Sequence, residues 1–342
     1  MRYSCSQTSA LHRQNLCRTS MTPNSSLSIT KAPIPSSNVK TPGLQDDPGA
    51  ALKGILLALM GTALFTIMFA LPKFAGPASS GHDVPGLQIA FIRYFGGFLA
   101  VLPLAVATHR KGVSLISPQP QWHLFRASLG IASVVCGVYA ATHMPLANAT
   151  AIGLTNGVFA IILAFIFFGE RIAGLAWIAS FLCLAGALVV ARPSTDLIAT
   201  FQSNPAAFIA LIGAITMAGE MAVLTHVSRR EPLARVLLYV NTVASLALAI
   251  PAFLLWEPLD QRTLLLICCM GPVAILGQIC NIWSVRFAAI SLITPFKYSS
   301  MVFATFIDVL FFDLLPDGIT VTGCLLVAFG GLWLARLQRR RK

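Results

Sequence analysis

The chain has 342 residues, of which 56% are hydrophobic and only 11% charged, and its formal net charge is +12. A soluble domain carries about a quarter charged residues, so these values exclude an ordinary soluble globular protein. They predict an all-α, polytopic membrane protein. In that setting the basic excess reads as membrane topology and contact with anionic lipid, not as nucleic-acid binding.

Residues 1–52 differ from the rest: they are rich in Ser and Thr, carry Lys and Arg, and hold no acid before Asp46. Such a segment has nothing to bury and is expected to be a disordered cytoplasmic tail. An Arg- and Ser-rich, acid-poor start also fits a targeting segment or translation from Met21. From Lys53 onward, apolar runs of about 20 residues follow one another, the length that spans a bilayer's hydrocarbon core. They are expected at 53–72, 87–107, 124–143, 146–168, 172–191, 206–227, 233–255, 263–281, 288–312 and 317–337. Proline and glycine punctuate the short connections. Five spans precede the Pro193–Pro205 break and five follow it, giving an expected first repeat at 53–192 and a second at 206–337.

A shift of 144 positions lays the second half over the first. Val158-Phe159-Ala160 falls on Val302-Phe303-Ala304, Phe167-Phe168 on Phe311-Phe312, and Gly174, Gly186 and Ala191-Arg192 on Gly318, Gly330 and Ala335-Arg336. Without gaps, 14 of the 66 pairs from Ala127 to Arg192 are identical, and their clustering in paired motifs at one offset favours a true repeat over shared composition. Internal repeats in a membrane chain are a signature of transporters. An odd number of spans per half makes the repeats inverted. Charge agrees with an inside N-terminus: the inner ends and loops hold 14 Lys and Arg against 3 outside, so both termini are expected in the cytoplasm.

Ionisable side chains within spans are costly and are functional candidates by default. They are Arg93 in span two, Glu220 in span six, and Lys297 and Asp308 in span nine. Lys297 lies near the midplane, just after Thr294-Pro295, where proline removes a donor and breaks the helix. Asp308, eleven residues on, shares its face in an ideal helix, and is expected in a structural or helix-end role. Tyr94, Asn156, Asn241, Asn281 and Tyr298 are further expected contacts for an organic molecule, and Gly153 and Gly157 have the spacing of a close helix approach. Lys297 is expected to be paired with a carboxylate when the site is empty and handed to an anionic or zwitterionic substrate on binding. Glu170 and Arg171 end span four with no counterpart in the second half, as a helix-end device. No HExxH or GxSxG motif and no filter sequence appears, so an intramembrane enzyme and a channel are the weaker readings. The eight cysteines show no CxxC; no cofactor, metal or disulfide framework is expected.

These features together resemble the EamA family of the drug/metabolite transporter superfamily. The resemblance covers 53–337 and rests on FIRYFGGFLAVLPL around Arg93, on the FFGERI end of span four, on AGALVVARP leaving span five, and on TPFKYSSMVFATFIDVLFFDLLPDGITVTG in the second half. It implies an inverted five-plus-five repeat, alternating access, a location in the bacterial inner membrane, and a small-molecule substrate; homodimerisation is left open. The PFKYSS stretch is similar to members that take up S-adenosylmethionine or riboflavin.

Overall fold

The structure, a computed structural model, describes residues 48–75, 84–144, 146–170, 174–192, 205–313 and 315–339. The expected tail and Arg171 lie outside the described residues. The described chain is helical, without strands. It consists of α1 (Pro48–Ala75), α2 (Gly86–Arg110), α3 (Pro120–His143), α4 (Leu146–Leu154), α5 (Asn156–Phe168), α6 (Gly174–Ala191), α7 (Pro205–Ser228), α8 (Leu233–Leu254), α9 (Gln261–Phe287), α10 (Ile290–Ile293), a 3-10 turn (Thr294–Ser299), α11 (Ser300–Phe312) and α12 (Gly318–Arg339). Ten segments of 18 to 27 residues are long and apolar enough to cross a membrane. Helices are the expected answer, because within a bilayer each backbone donor and acceptor must find its partner inside the protein. Large apolar side chains such as Phe69, Phe167, Leu254 and Phe306 point outward, which in lipid carries no penalty.

The expected spans coincide with the observed ones to within a few residues, with one notable difference. The eighth span does not stop at 281 but runs to Phe287. Nothing breaks the helix before Ala288, and Arg286 at its end is held by the carbonyls of Ser228 and Glu231 at 2.7 and 2.8 Å.

Between helices the contacts are made by small residues. A Cβ on Gly54 would stand 2.5 Å from Ala288 Cβ, and one on Gly61 3.2 Å from Cys280 Cβ, which joins α1 to α9. Gly96 and Gly97 meet Gly271 to join α2 to α9, and Gly186 meets Gly323 to join α6 to α12. Lipid gives no hydrophobic drive between helices, so such close backbone approach and its dispersion energy substitute for it.

The packing is symmetric. The main pairs are α1 with α9, α3 with α7, α2 with α8, and α6 with α12. Exchanging each span for the one five later maps this set onto itself. Two residues also touch their own counterparts 144 positions away: the Tyr298 hydroxyl donates to Leu154 O at 3.1 Å, and Cys183 Sγ lies 3.7 Å from Val327 O. Self-contact of that kind is found beside a two-fold axis. The caps match too. Gly169 ends α5 with φ 63° and Asp313, at the same offset, ends α11 with φ 52°. Glycine adopts this left-handed conformation without strain, and aspartate is among the few residues that tolerate it.

Candidate functional site

Spans four and nine are both broken, and they cross near the pseudo-two-fold. In span nine α10 gives way to the 3-10 turn at Thr294, beside Pro295, and the chain resumes as α11. The Thr294 hydroxyl donates to Ile290 O at 2.7 Å, saturating a carbonyl next to the break. Span four breaks at Thr155, whose hydroxyl donates to Ile152 O at 2.6 Å, and Asn156 Nδ2 donates to Gly153 O at 2.8 Å. Span four holds no proline between Leu146 and Phe168; these side chains, with backbone bonds such as Thr155 N to Ile152 O at 3.1 Å, satisfy the interrupted ladder. At the crossing Tyr298 lies over Gly157, where a Cβ would stand 2.2 Å from the phenol oxygen. Gly153 has nothing within 4 Å of an added Cβ, so the expected Gly153–Gly157 approach reduces to Gly157 alone. Gly157→Ala must displace Tyr298 from Leu154. It is expected to lower stability by about 1–3 kcal/mol, and Tyr298→Phe in the same chain should recover part of the loss, as thermal unfolding in detergent would measure.

Charged and polar groups converge beside this crossing. Lys297, in the 3-10 turn, places Nζ 3.2 Å from Met221 Sδ of α7. Glu220, the next residue on α7, is the acid whose charge acts on Lys297. It is paired not with Lys297 but with Arg126 of α3, NH2 to Oε1 at 3.2 Å. The expected ion pair of Lys297 in the empty site is thus not present: among the described residues its ammonium ends on a thioether. Asn156 Nδ2 also lies 3.4 Å from Met217 Sδ, one turn before Met221.

The direction of this face is fixed by helical geometry. Phe208, Ile212 and Ile215 are the exposed apolar stripe of α7, at 56%, 52% and 44% exposure. At 3.6 residues per turn Met217 projects about 180° from Phe208, yet it is 46% exposed. Met217 thus lies on the side of α7 that turns away from this stripe and toward Asn156 of span four. Asn156 and Lys297 thus reach Met217 and Met221 on the stretch of α7 that carries Glu220, where spans three, four, six and nine meet.

The other expected site residues lie elsewhere. Tyr94 is buried among Ala90, Ala244 and Leu248 in the α2–α8 contact. Arg93 lies over the Tyr94 ring at 4.7 Å, with its Nε buried and lacking a hydrogen-bond partner. Asn241 is buried against Gly97 and donates to Leu237 O at 2.7 Å. Asn281 is half-buried on α9, next to Gly61. Tyr298 is buried at the crossing itself. Asp308 is half-buried on α11. The shared face with Lys297 does not survive the break: three residues at the tighter 3-10 pitch turn Asp308 about 60° further round. Glu170 caps α10, with Oε1 accepting from Ile290 N at 3.2 Å and Oε2 from Ser291 N at 3.0 Å. A carboxylate at a helix N-terminus satisfies orphan donors there.

Sequence reasoning missed two features. Arg126 counts as a charge at a helix end in the sequence, but it is 2% exposed and paired inside the bundle. A second buried cluster closes the end of the molecule that holds the loops 111–119 and 229–232. Glu231 accepts from the Ser117 hydroxyl and from Arg235 NH1, both at 2.6 Å, and Arg235 also reaches Ser114 O. His123 Nε2 is 3.7 Å from Glu231, and its ring stacks on Tyr239. Burial on its own would raise the Glu231 carboxyl; the hydrogen bonds from Ser117 and Arg235 and the nearby charges outweigh it and hold it below the ordinary carboxylate value. Each residue taken singly reads as an ordinary loop or helix-end polar group, and only the fold brings Ser117 and Glu231, 114 positions apart, together.

Residues 52–192 match the family model of the EamA-like transporter family. Three curated relatives align along nearly their whole length. A pseudopaline exporter of Pseudomonas aeruginosa is 28% identical over 84% of this chain and 97% of its own. A riboflavin transporter of Rhizobium johnstonii is 25% identical over 86% of this chain and 95% of its own. An S-adenosylmethionine uptake transporter of Rickettsia prowazekii is 22% identical over 84% and 94%. A solved crystal structure superposes with a TM-score of 0.66 at 20% identity, covering 87% of this chain and all of its own, which shows a shared fold.

Proposed function

We propose that this chain, a multi-pass membrane protein whose residues 52–192 belong to the EamA-like transporter family, is a secondary transporter that moves a small organic metabolite by alternating access. One observation carries the reading: two interrupted helices meet where Tyr298 donates to Leu154 O, with the polar side chains of Lys297, Glu220 and Asn156 beside that contact. Transporters place substrate sites where broken helices of two repeats meet, and intramembrane charges cost several kcal/mol unless they serve a ligand or a partner. The names of the relatives, each a carrier of a small metabolite, agree with this. The symmetric packing supports two repeats, 53–192 and 206–337, and five spans in each make the second enter from the opposite side.

Residue roles follow. Lys297 supplies the positive charge for an anionic or zwitterionic substrate. Glu220 sets the local charge balance, and Asn156 contributes a neutral donor. Arg93, Tyr94, Asn241, Asn281 and Tyr298 shape and support the path, and Asp308 and Glu170 hold helix positions. The basic loops favour both termini in the cytoplasm of a bacterial inner membrane, and Arg336 at the end of α12 fits contact with anionic lipid. Thiol labelling of single cysteines should then place 110–120, 229–231 and 339–342 on the cytoplasmic side; an external C-terminus would refute this orientation. Purified protein in liposomes tests the function: saturable, counterflow-competent flux marks a carrier, ohmic current a channel, and turnover of lipid an enzyme.

A further inference from the structure

The ends of the α6–α12 pair are related by the 144-residue repeat, but their charges are not matched. Arg192, directly after α6, pairs with Asp317 and donates to the Thr320 hydroxyl at 3.1 Å, both at the start of α12. The same offset sets Arg336 at the place of Arg192, but Ala173 and Ala176 at the places of Asp317 and Thr320. Arg336 is thus denied the acid and the hydroxyl that its twin is given. It is exposed, and among the described residues no carboxylate pairs with it. Nor does its own segment compensate it: from Gly318 to Lys342 the chain carries Arg336, Arg339, Arg340, Arg341 and Lys342 and no Asp or Glu.

Arg336 stands in a groove of about 270 Å³ that it lines with Phe329, Leu332 and Trp333. These positions, i, i+3, i+4 and i+7, make one face of α12 about 10 Å long. Phe329 and Leu332 are 58% and 60% exposed. Trp333 packs partly on the core, with its ring 6.2 Å from that of Phe329. An apolar trough that ends in a guanidinium has the polarity of a phospholipid, with acyl chain along the trough and phosphate at its end. Tryptophan is enriched at the level where headgroup and chain meet, and the planar fork of arginine matches a phosphate bidentately. Charge selects the occupant. A neutral lipid would leave this basic helix end uncompensated. A second copy of the chain, docked two-fold on the same face, would set two such ends against each other. An anionic lipid supplies both the apolar filling and the missing counter-charge.

We propose that this face of α12 is a binding site for an anionic phospholipid, whose phosphate is held by Arg336 and whose acyl chain lies along Trp333, Leu332 and Phe329. The lipid gives Arg336 the counter-charge that Asp317 gives Arg192. The site faces outward from the bundle and holds independently of what is transported.

Trp333 reports the occupant. A chain that keeps it as sole tryptophan, with Trp122, Trp177, Trp256 and Trp283 changed to Phe, is reconstituted in phosphatidylcholine vesicles. Phosphatidylglycerol or phosphatidylcholine brominated on its acyl chains is then added in rising proportion, since bromine quenches the indole on contact. The brominated phosphatidylglycerol is expected to be preferred about fivefold. Arg336→Gln should bring that preference close to one without changing quenching by the brominated phosphatidylcholine, and Arg192→Gln should leave it intact. Should the fourfold Phe variant unfold, the difference between wild type and Trp333→Phe reads the same ratio. Equal quenching by the two lipids overturns the proposal, as does a preference that survives Arg336→Gln. Absence of quenching by either lipid overturns it too, since protein from a second copy would then cover Trp333.

Discussion

Lys297→Met is expected to abolish transport while the protein still reaches the membrane at near-normal abundance. The substitution keeps the length of the side chain and removes its charge. In the folded chain the ammonium has no carboxylate within ion-pair distance among the described residues, and its contact is the Met221 thioether. Nothing that holds helices together is therefore lost with it, and removing a poorly compensated charge from the membrane interior is expected to be neutral or favourable to stability. What is lost is the attraction for substrate. Lys297→Arg should retain part of the activity, because it keeps the charge. Uptake into vesicles, scaled to the amount of protein in the membrane, measures both variants. Normal transport by the Met variant would make Lys297 a structural cation, and failure to accumulate would make it a folding partner.

Glu231→Ala should act in the opposite way, on stability first. The Glu231 and Arg235 side chains are 6% and 10% exposed, and truncating one partner leaves the other buried without its counter-charge. Breaking such a pair costs about 3–5 kcal/mol, here lessened by the bonds Arg235 keeps to Ser114 O. Replacing both residues with apolar ones of similar size should cost less than the single change. The cluster also has a pH signature. The folded-state carboxyl of Glu231 lies below its ordinary value, so its contribution is complete above the unfolded value of about 4.3 and disappears as the pH falls through the lower folded value. The difference in melting temperature between wild type and Glu231→Ala, followed in detergent from pH 6 downward, should be constant to about pH 4.3 and shrink below it. A difference that persists unchanged at pH 3 would mean that Glu231 acts through shape and not charge.

The spans were legible because lipid imposes a length and a composition, and ten apolar runs meet that requirement whatever their partners. The break at Thr294-Pro295 was legible because proline removes a donor. Its twin at Thr155 was not, since Thr and Asn hydroxyl and amide groups bonded back to the preceding turn leave no mark that differs from an ordinary helix. The left-handed cap at Gly169 can be read from a glycine, whereas its mate at Asp313 cannot. Depth was the hardest property to read. Arg126 and Arg286 both sit near helix ends in the sequence, but one is buried against Glu220 and the other caps a neighbouring loop. The partner of Glu220 depends on the approach of α3 to α7 across 94 positions, which no local pattern encodes.

The claim that the cleft at the helix crossing opens to each side in turn is tested by side-specific labelling of Met217→Cys in a chain whose native cysteines have been replaced. Met217 is exposed beside Asn156 at the break of span four, and its thiol substitute would report who can reach it. Alternating access predicts reaction with a membrane-impermeant maleimide from either face of the membrane, with a bound substrate protecting the thiol and a change of conditions that favours one orientation raising reactivity on that side while lowering it on the other. Reactivity that rises and falls on both sides together, or that is confined to one side under every condition, would contradict it.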